Sequence, residues 1–236
     1  MDSYRMFQQE FDLSMEALCR RILDRHQATI RVRKADTAVA NLVRIIDTTL
    51  TLANRKGFHS TSLRDLSEQS GLSMGALYSY FDSKDTLLLM ILGQVVDAIQ
   101  QVLIVPDVTT GSVYNRLRAL IARHVYLTER MGPWFVFAFM EAKAFSKQGR
   151  EMAIESELWT EGQLRDVIAD GIAAGLFRPQ DPTMAAALIK PMLQDWYVKR
   201  SKYRRRAIDP DGFVVALGDA VSAMLGCDSK LALKMS

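Results

Sequence analysis

The 236-residue chain has only two cysteines, Cys19 and Cys227, neither numerous nor spaced as a metal site. A framework of disulfides is excluded, and both side chains are expected to remain thiols in a reducing compartment. Histidine is as sparse: His26, His59 and His124 have no Cys, Asp or Glu partner at metal-ligand spacing, so no metal is expected. A Gly-rich phosphate loop and a serine in a nucleophile-elbow context are also missing. Neither an enzyme activity nor a cofactor is expected. No apolar run approaches the roughly 18 residues of a membrane span, and the start of the chain has acidic residues and no signal-peptide core. A cytoplasmic protein with no membrane partner is the expectation. One-sided charge is lacking too: the net charge is +3, too small to identify a nucleic-acid binder, so placement of the charges must carry that argument.

The placement is uneven. From Arg20 to Arg64 the basic side chains are Arg20, Arg21, Arg25, Arg31, Arg33, Lys34, Arg44, Arg55, Lys56 and Arg64, opposed by Asp24, Asp36 and Asp47. The local excess has the sign a phosphate backbone needs. A second run, Lys199, Arg200, Lys202, Arg204, Arg205 and Arg206, lies near the C-terminus. It reads either as a functional patch or as a solvated helix face.

Apolar residues recur at spacings of three and four with no sustained period of two, which predicts an all-α fold. Residues 1–34 carry Phe7, Phe11, Leu13, Met15, Leu18, Ile22 and Leu23, as one amphipathic helix or an arm. A helix is predicted over Thr37–Lys56, stopped by Gly57. A short one over Leu63–Gln69 opens on the capping box Ser62-x-x-Asp65. Ser70-Gly71-Leu72 forms a turn, and Ser73 caps a further short helix through Tyr80. A longer apolar helix covers about Asp85–Leu103, with a break at Pro106–Gly111. Helices follow at about Ser112–Arg130, Pro133–Lys147, Glu151–Ala174, Pro182–Arg206 and Asp211–Leu225.

Two short capped helices joined by a glycine-bearing turn meet the requirements of a helix-turn-helix. Gly71 can take the positive backbone angle of the turn, while Leu63, Leu66, Leu72 and Leu77 can bury the joint. The stretch from Gly57 to Lys84 resembles the DNA-binding domain of the tetracycline-repressor (TetR) family, through Leu77-Tyr78, Tyr80-Phe81, Ser83-Lys84 and Leu87-Leu88. The dense part of the match runs from about Asp36 to Leu92. Behind it the likeness is one of helix pattern, most visible from Gly171 to Pro179.

The resemblance implies that Ser73–Tyr80 is a recognition helix whose first half enters the major groove, with Met74, Gly75, Ala76 and Ser79 nearest base edges. None of these side chains makes the bidentate contacts by which Arg or Asn identifies a base, although Met74 and Ala76 suit a thymine methyl. Arg64 is left as the candidate for a polar base contact, or else for a phosphate contact. Tyr78 and Tyr80 carry hydroxyls for phosphate oxygens, and Thr61, Ser62 and Ser73 offer hydroxyls and helix-start amides. Lys84 resembles the family lysine that reaches phosphate. Phe58, Leu66, Leu77 and Phe81 are assigned to packing. The long lead before the motif departs from many family members. Arg31, Arg33 and Lys34 make it a minor-groove arm; Phe7, Phe11 and Leu18 make it a packed extra helix; a disordered tail is the third reading.

The expected organisation is an N-terminal extension (1–35), a three-helix helix-turn-helix DNA-binding domain (36–84), and a connecting helix with a helical effector-binding and dimerisation domain (85–236). The resemblance implies a homodimer on a pseudo-palindromic double-stranded DNA operator. Its four-helix interface would use Met184, Leu188, Ile189, Met192, Leu193 and Trp196 with Phe213, Val214, Leu217, Val221, Met224 and Leu225. Trp134, Phe135, Phe137, Met140, Trp159 and Trp196 line an effector pocket in this reading, and in the plainer one form a packed core. The effector would be an apolar or amphipathic small molecule, either a fatty acid or acyl-CoA held by the basic run, or a hydrophobic drug. The function expected is a transcription regulator released from its operator by that molecule; the alternative is a helix-turn-helix interaction protein with no effector.

Overall fold

A computed structural model describes residues 3–104 and 111–227. Among them every regular element is helical, in keeping with the apolar spacings. The helices are α1 (Tyr4–Glu10), α2 (Met15–Arg25), α3 (Ala35–Lys56), α4 (Leu63–Ser70), α5 (Met74–Leu77), α6 (Lys84–Leu103), α7 (Val113–Arg130), α8 (Gly132–Met140), α9 (Lys147–Ala173), α10 (Pro182–Val198), α11 (Arg200–Arg205) and α12 (Pro210–Leu225). Their starts follow local chemistry. Ser14 Oγ accepts from Ala17 N and Asp209 Oδ1 from Gly212 N, and prolines occupy the first turns of α8, α10 and α12, where no amide donor is required. The expected helix over Pro182–Arg206 is two helices that part at Lys199. Of the expected break at Pro106–Gly111, only Gly111 falls within the described residues.

The chain forms two compact units. One takes the described residues of Met1–Phe11, Ala98–Arg130 and Glu155–Ser236; the other is Asp12–Asp97 with Met131–Ile154. This division differs from the expected boundary after residue 84, and aromatic packing supplies the reason. Phe137 on α8 meets Phe58 edge-on at 5.3 Å, and Glu141 Oε2 accepts from Phe58 N at 2.8 Å, so residues beyond α7 return to the first helices.

In the second unit α3 is central. Its stripe of Val39, Leu42, Ile46, Leu50 and Ala53 is buried, and α2, α4 and α8 pack around the helix. Each such large aliphatic side chain contributes roughly 1.5–3 kcal/mol of transfer free energy. Helix α2 adds Leu18, Cys19, Ile22 and Leu23, and its Arg25 pairs with Asp97 on α6. Burial, with Glu16 adding to it, pushes the Cys19 thiol up to about 12, which leaves it a small apolar side chain in function.

In the first unit α7 is packed by α1, α10 and α12. Tyr4 N and the Tyr126 hydroxyl both donate to Asp211 Oδ1, at 2.8 and 2.6 Å, and Phe7 packs between Phe11 and Tyr126. The segment before α3 is therefore two packed helices, one in each unit. After α9, Leu176 N and Phe177 N both donate to Gly171 O, which folds the Phe177 ring onto Gly171 where any Cβ would collide with it. That close approach explains the first glycine of the Gly171–Pro179 stretch.

The aromatic set expected to line one pocket is divided. Trp134, Phe135, Phe137 and Met140 belong to one unit, Trp159 and Trp196 to the other. Phe137 is fully buried between Phe58 and Phe145, Met140 is 60% exposed, and Trp196 stacks on Phe213 at 4.6 Å with Arg200 over its ring. The expected dimer faces are also revised. Ile189, Leu193 and Trp196 are buried within the chain, leaving Met184, Leu188 and Met192 exposed at successive turns of α10. On α12 Phe213, Val214, Leu217, Val221 and Leu225 turn inward, and Val215, Ala216, Ala220 and Ala223 face out.

Helix α6 corrects the reading that no segment approaches membrane-span length. By length and composition it is apolar enough to cross a bilayer, yet Leu87, Leu88, Met90, Ile91 and Leu92 are all buried in the protein.

Candidate nucleic-acid interface

Helix α4 begins at a complete capping box: Asp65 N donates to Ser62 Oγ at 3.1 Å, and Ser62 N donates to Asp65 Oδ2 at 2.7 Å. A hydrogen bond from Lys56, followed by those from Ser62, holds the Asp65 carboxyl well below the usual range. Gly71 ends the helix at φ +65°, a left-handed conformation that costs a side-chain-bearing residue about 1–2 kcal/mol. A Cβ there would also stand 2.8 Å from Arg44 Nη2. Ser67 Oγ donates to Leu72 O at 2.6 Å and fastens the turn, while Leu66 and Leu77 close the joint beneath it.

The second helix is shorter than expected. Regular α-helix covers Met74–Leu77, capped by Ser73 Oγ accepting from Ala76 N; the chain then tightens, with Ser79 N donating to Ala76 O and Tyr80 N to Leu77 O. Ser79 Oγ donates back to Gly75 O at 3.2 Å. Ser73, Met74, Gly75 and Tyr78 are exposed and Ala76 and Ser79 half-buried, so one face of this turn of chain meets solvent. Arg64 is exposed on the helix before it, as is Ser62, whose hydroxyl is engaged by the cap.

Three residues expected at this face have other partners. Tyr80 is 1% exposed and its hydroxyl accepts from Asn41 Nδ2 at 2.9 Å. Thr61 is buried and its hydroxyl donates to Gly57 O. Lys84 Nζ donates to the carbonyl oxygens of Phe58, His59 and Thr61 at 2.6, 3.1 and 2.7 Å, which uses all three N–H bonds of an ammonium. Each was expected to reach phosphate; each instead braces the loop and the joint. Asn41 and Glu141 do similar work and were invisible in the sequence, because their partners lie 39 and 83 residues away.

The surroundings are cationic. Arg31, Arg33, Lys34, Arg44, Arg55 and Arg64 are exposed and have no ion pair among the described residues, whereas Arg20, Arg25 and Lys56 are paired with Asp36, Asp97 and Asp65. Arg31 N donates to Ser79 O at 2.8 Å, which fixes the Arg31–Lys34 stretch beside the end of the second helix. Chemically the face offers guanidinium groups, one phenol and an apolar patch of Met74 and Ala76. Among the described residues no His, Cys, Asp and Glu cluster suits a metal ion.

A capped helix pair with an exposed, cation-flanked second helix, carried on an all-helical body, defines a helix-turn-helix protein. A family model for bacterial regulatory proteins of the tetR family matches residues 45–91, and one for the tetracyclin repressor-like C-terminal domain matches residues 110–200. The chain belongs to the tetR family of bacterial regulatory proteins. Over 102 residues it is 33% identical to the HTH-type transcriptional repressor KstR of Mycolicibacterium smegmatis, covering 40% of this chain and 50% of that protein. The chain thus spans about half the length of the curated relatives it matches first. A tetR-family regulatory protein from Rhodococcus RHA1 shares the fold at 20% identity and a TM-score of 0.70, with 79% of this chain and 97% of that one covered. A crystal structure of AibR in complex with isovaleryl coenzyme A and operator DNA is similar at 20% identity and a TM-score of 0.63, covering 78% and 97%.

Proposed function

We propose that the chain is a dimeric, cytoplasmic transcription regulator that grips double-stranded operator DNA with α4 and α5 and represses until a small molecule binds. The observation that carries this is the exposed face of Ser73, Met74, Gly75, Tyr78 and Arg64, flanked by exposed cations that form no ion pair among the described residues. Met74 and Ala76 touch thymine methyls, Arg64 reads a base edge or a phosphate, and Tyr78, Ser62 and Ser73 meet the backbone. The sign of regulation follows KstR, which is named a repressor.

A second copy docks on the apolar stripe Met184, Leu188 and Met192 and the small-residue face of α12, so that two recognition helices address a pseudo-palindrome, with half-sites one helical turn of about 34 Å apart or a multiple of it. The effector is apolar or amphipathic, and the division of roles is the one expected: residues 36–84 read DNA and the helices behind them respond to the ligand. AibR, with both an acyl-CoA and operator DNA in one crystal, supports an effector of this kind. The test is a fluorescence anisotropy titration on duplex from upstream of the chain's own gene. Saturable, salt-sensitive binding that outlasts excess random duplex supports the proposal, and binding equal to random duplex refutes it.

A further inference from the structure

Two ionisable side chains, His124 and Lys190, lie buried in the core of the first unit. Helices α7 and α10 pack together, and on α7 His124 is 4% exposed with no hydrogen bond at Nδ1. On α10 Lys190 is 7% exposed and, among the described residues, has neither a hydrogen bond nor a carboxylate within salt-bridge distance. Buried ammonium groups are expensive unless an acceptor meets them. The carboxylates whose field reaches Lys190 are Glu157 and Glu161 on α9, and Glu157 already accepts from Gln194 Nε2 at 2.8 Å. Burial lowers Lys190 to about 8 and, together with the Lys190 charge, carries His124 well below its ordinary value. At neutral pH the pair is therefore a charged ammonium beside a neutral imidazole.

The neighbouring positions on the two helices are apolar: Ile121 and Val125 on α7, Ala186 and Leu193 on α10, all buried. Tyr197, one turn beyond Gln194 and also buried, has its hydroxyl pushed up by burial and by Glu157. Pro191 directly follows Lys190 inside α10 and cannot donate to the carbonyl four residues back, so the helix is one hydrogen bond short at that turn.

We propose that Lys190 and His124 anchor the carboxylate of an apolar organic acid within the first unit, and that this acid is the effector. The inference rests on the small-molecule control proposed above and names its chemistry. One ammonium and one imidazole N–H match the two oxygens of a carboxylate monoanion, and the apolar flanks accept its hydrocarbon. Within the basic run from Lys199 to Arg206, Lys199 and Lys202 are held by Asp195 and Arg200 by Glu129, and the remaining Arg204, Arg205 and Arg206 are exposed at the surface rather than set in the core.

The experiment is thermal unfolding of the full chain without DNA, in the presence of straight-chain acids from butanoate to dodecanoate and phenylacetate, each beside its neutral amide and its coenzyme A thioester. At about a hundred times its Kd the best acid raises Tm by roughly 5–10 °C, and its amide and thioester do not. Lys190→Met keeps the volume and removes the charge; it loses the acid's effect and still binds duplex in the anisotropy assay. Acid affinity of the unaltered chain falls about tenfold per pH unit above about 8, where Lys190 loses its proton. No acid surpassing its amide, thioesters acting as strongly as acids, a flat pH profile, or an unchanged response in a folded Lys190→Met overturns the site. Each of those results leaves duplex binding, and with it the regulator reading, to be judged by its own titration.

Discussion

The Lys84 ammonium lies 4.6 Å from the centroid of the Phe58 ring and 2.6 Å from the Phe58 carbonyl oxygen, so one side chain both caps the loop before α4 and covers its aromatic residue. With further bonds to Thr61 and His59, Lys84 acts on the interface through the loop it holds. Lys84→Met therefore lowers stability by about 2 kcal/mol, read by urea unfolding. It weakens duplex binding at every salt concentration without altering the slope of log K against log salt. A slope smaller by about 1 would mean that Lys84 touches phosphate after all.

Arg64 and Tyr78 are exposed at the same face and are separable by substitution. Arg64→Ala relaxes preference at one operator position by about 1–3 kcal/mol, whereas Tyr78→Phe weakens all duplexes alike. Binding to a panel of single-base operator variants checks both. Equal losses on every sequence from both changes would assign Arg64 to phosphate.

The helix-turn-helix was legible because its signals are local. Ser62 and Asp65, Gly71 and Ser73 act within three or four residues, and each takes the predicted role. The accessibility of Tyr80, Thr61 and Lys84 was not legible, since a hydroxyl or ammonium reads the same whether it meets DNA or a buried carbonyl. The division of the aromatic residues from Trp134 to Trp196 between two units was not legible for a related reason: apolar bulk specifies burial and not which unit receives it. Lys190 and His124 gave no sequence signal, because an isolated lysine or histidine in a helical stretch becomes informative only once its burial is known.

Two glycines of α9 should respond oppositely to alanine. Gly171 lies against the Phe177 ring, so Gly171→Ala overpacks and costs about 1–3 kcal/mol. Gly162 has open space, its nearest neighbour being the tip of Arg165 at 3.8 Å, and Gly162→Ala gains up to about 1 kcal/mol from helix propensity. Denaturant midpoints of the pair provide the check.

Burial makes Lys190 easier to deprotonate in the folded chain, at about 8 against 10.5 when unfolded. Between those values the unfolded state binds more protons, so stability gained from this group rises with pH. The penalty is fully present below about 8 and gone above 10.5. Tyr197 and Cys19, both raised, oppose the trend in the same range. Subtracting the profile of Lys190→Met isolates the lysine. The variant should be more stable near pH 7 by up to ~3 kcal/mol, with the difference vanishing towards pH 10.5. A constant difference across that range would show an ordinary lysine.

Leu188 is 57% exposed between Met184 and Met192. Leu188→Glu places a charge in the middle of the proposed subunit interface, so light scattering should show monomers where the unaltered chain gives dimers. A monomeric unaltered chain would remove the twofold arrangement.

Sequence-selective binding by α4 and α5 is measured by selection from a random duplex library. The expected outcome is enrichment of a twofold-symmetric site with half-site centres about 10 base pairs apart or a multiple of that, rich in A·T pairs opposite Met74 and Ala76, and lost when Arg64 and Tyr78 are both replaced. Recovery of a library no different from the input would contradict it.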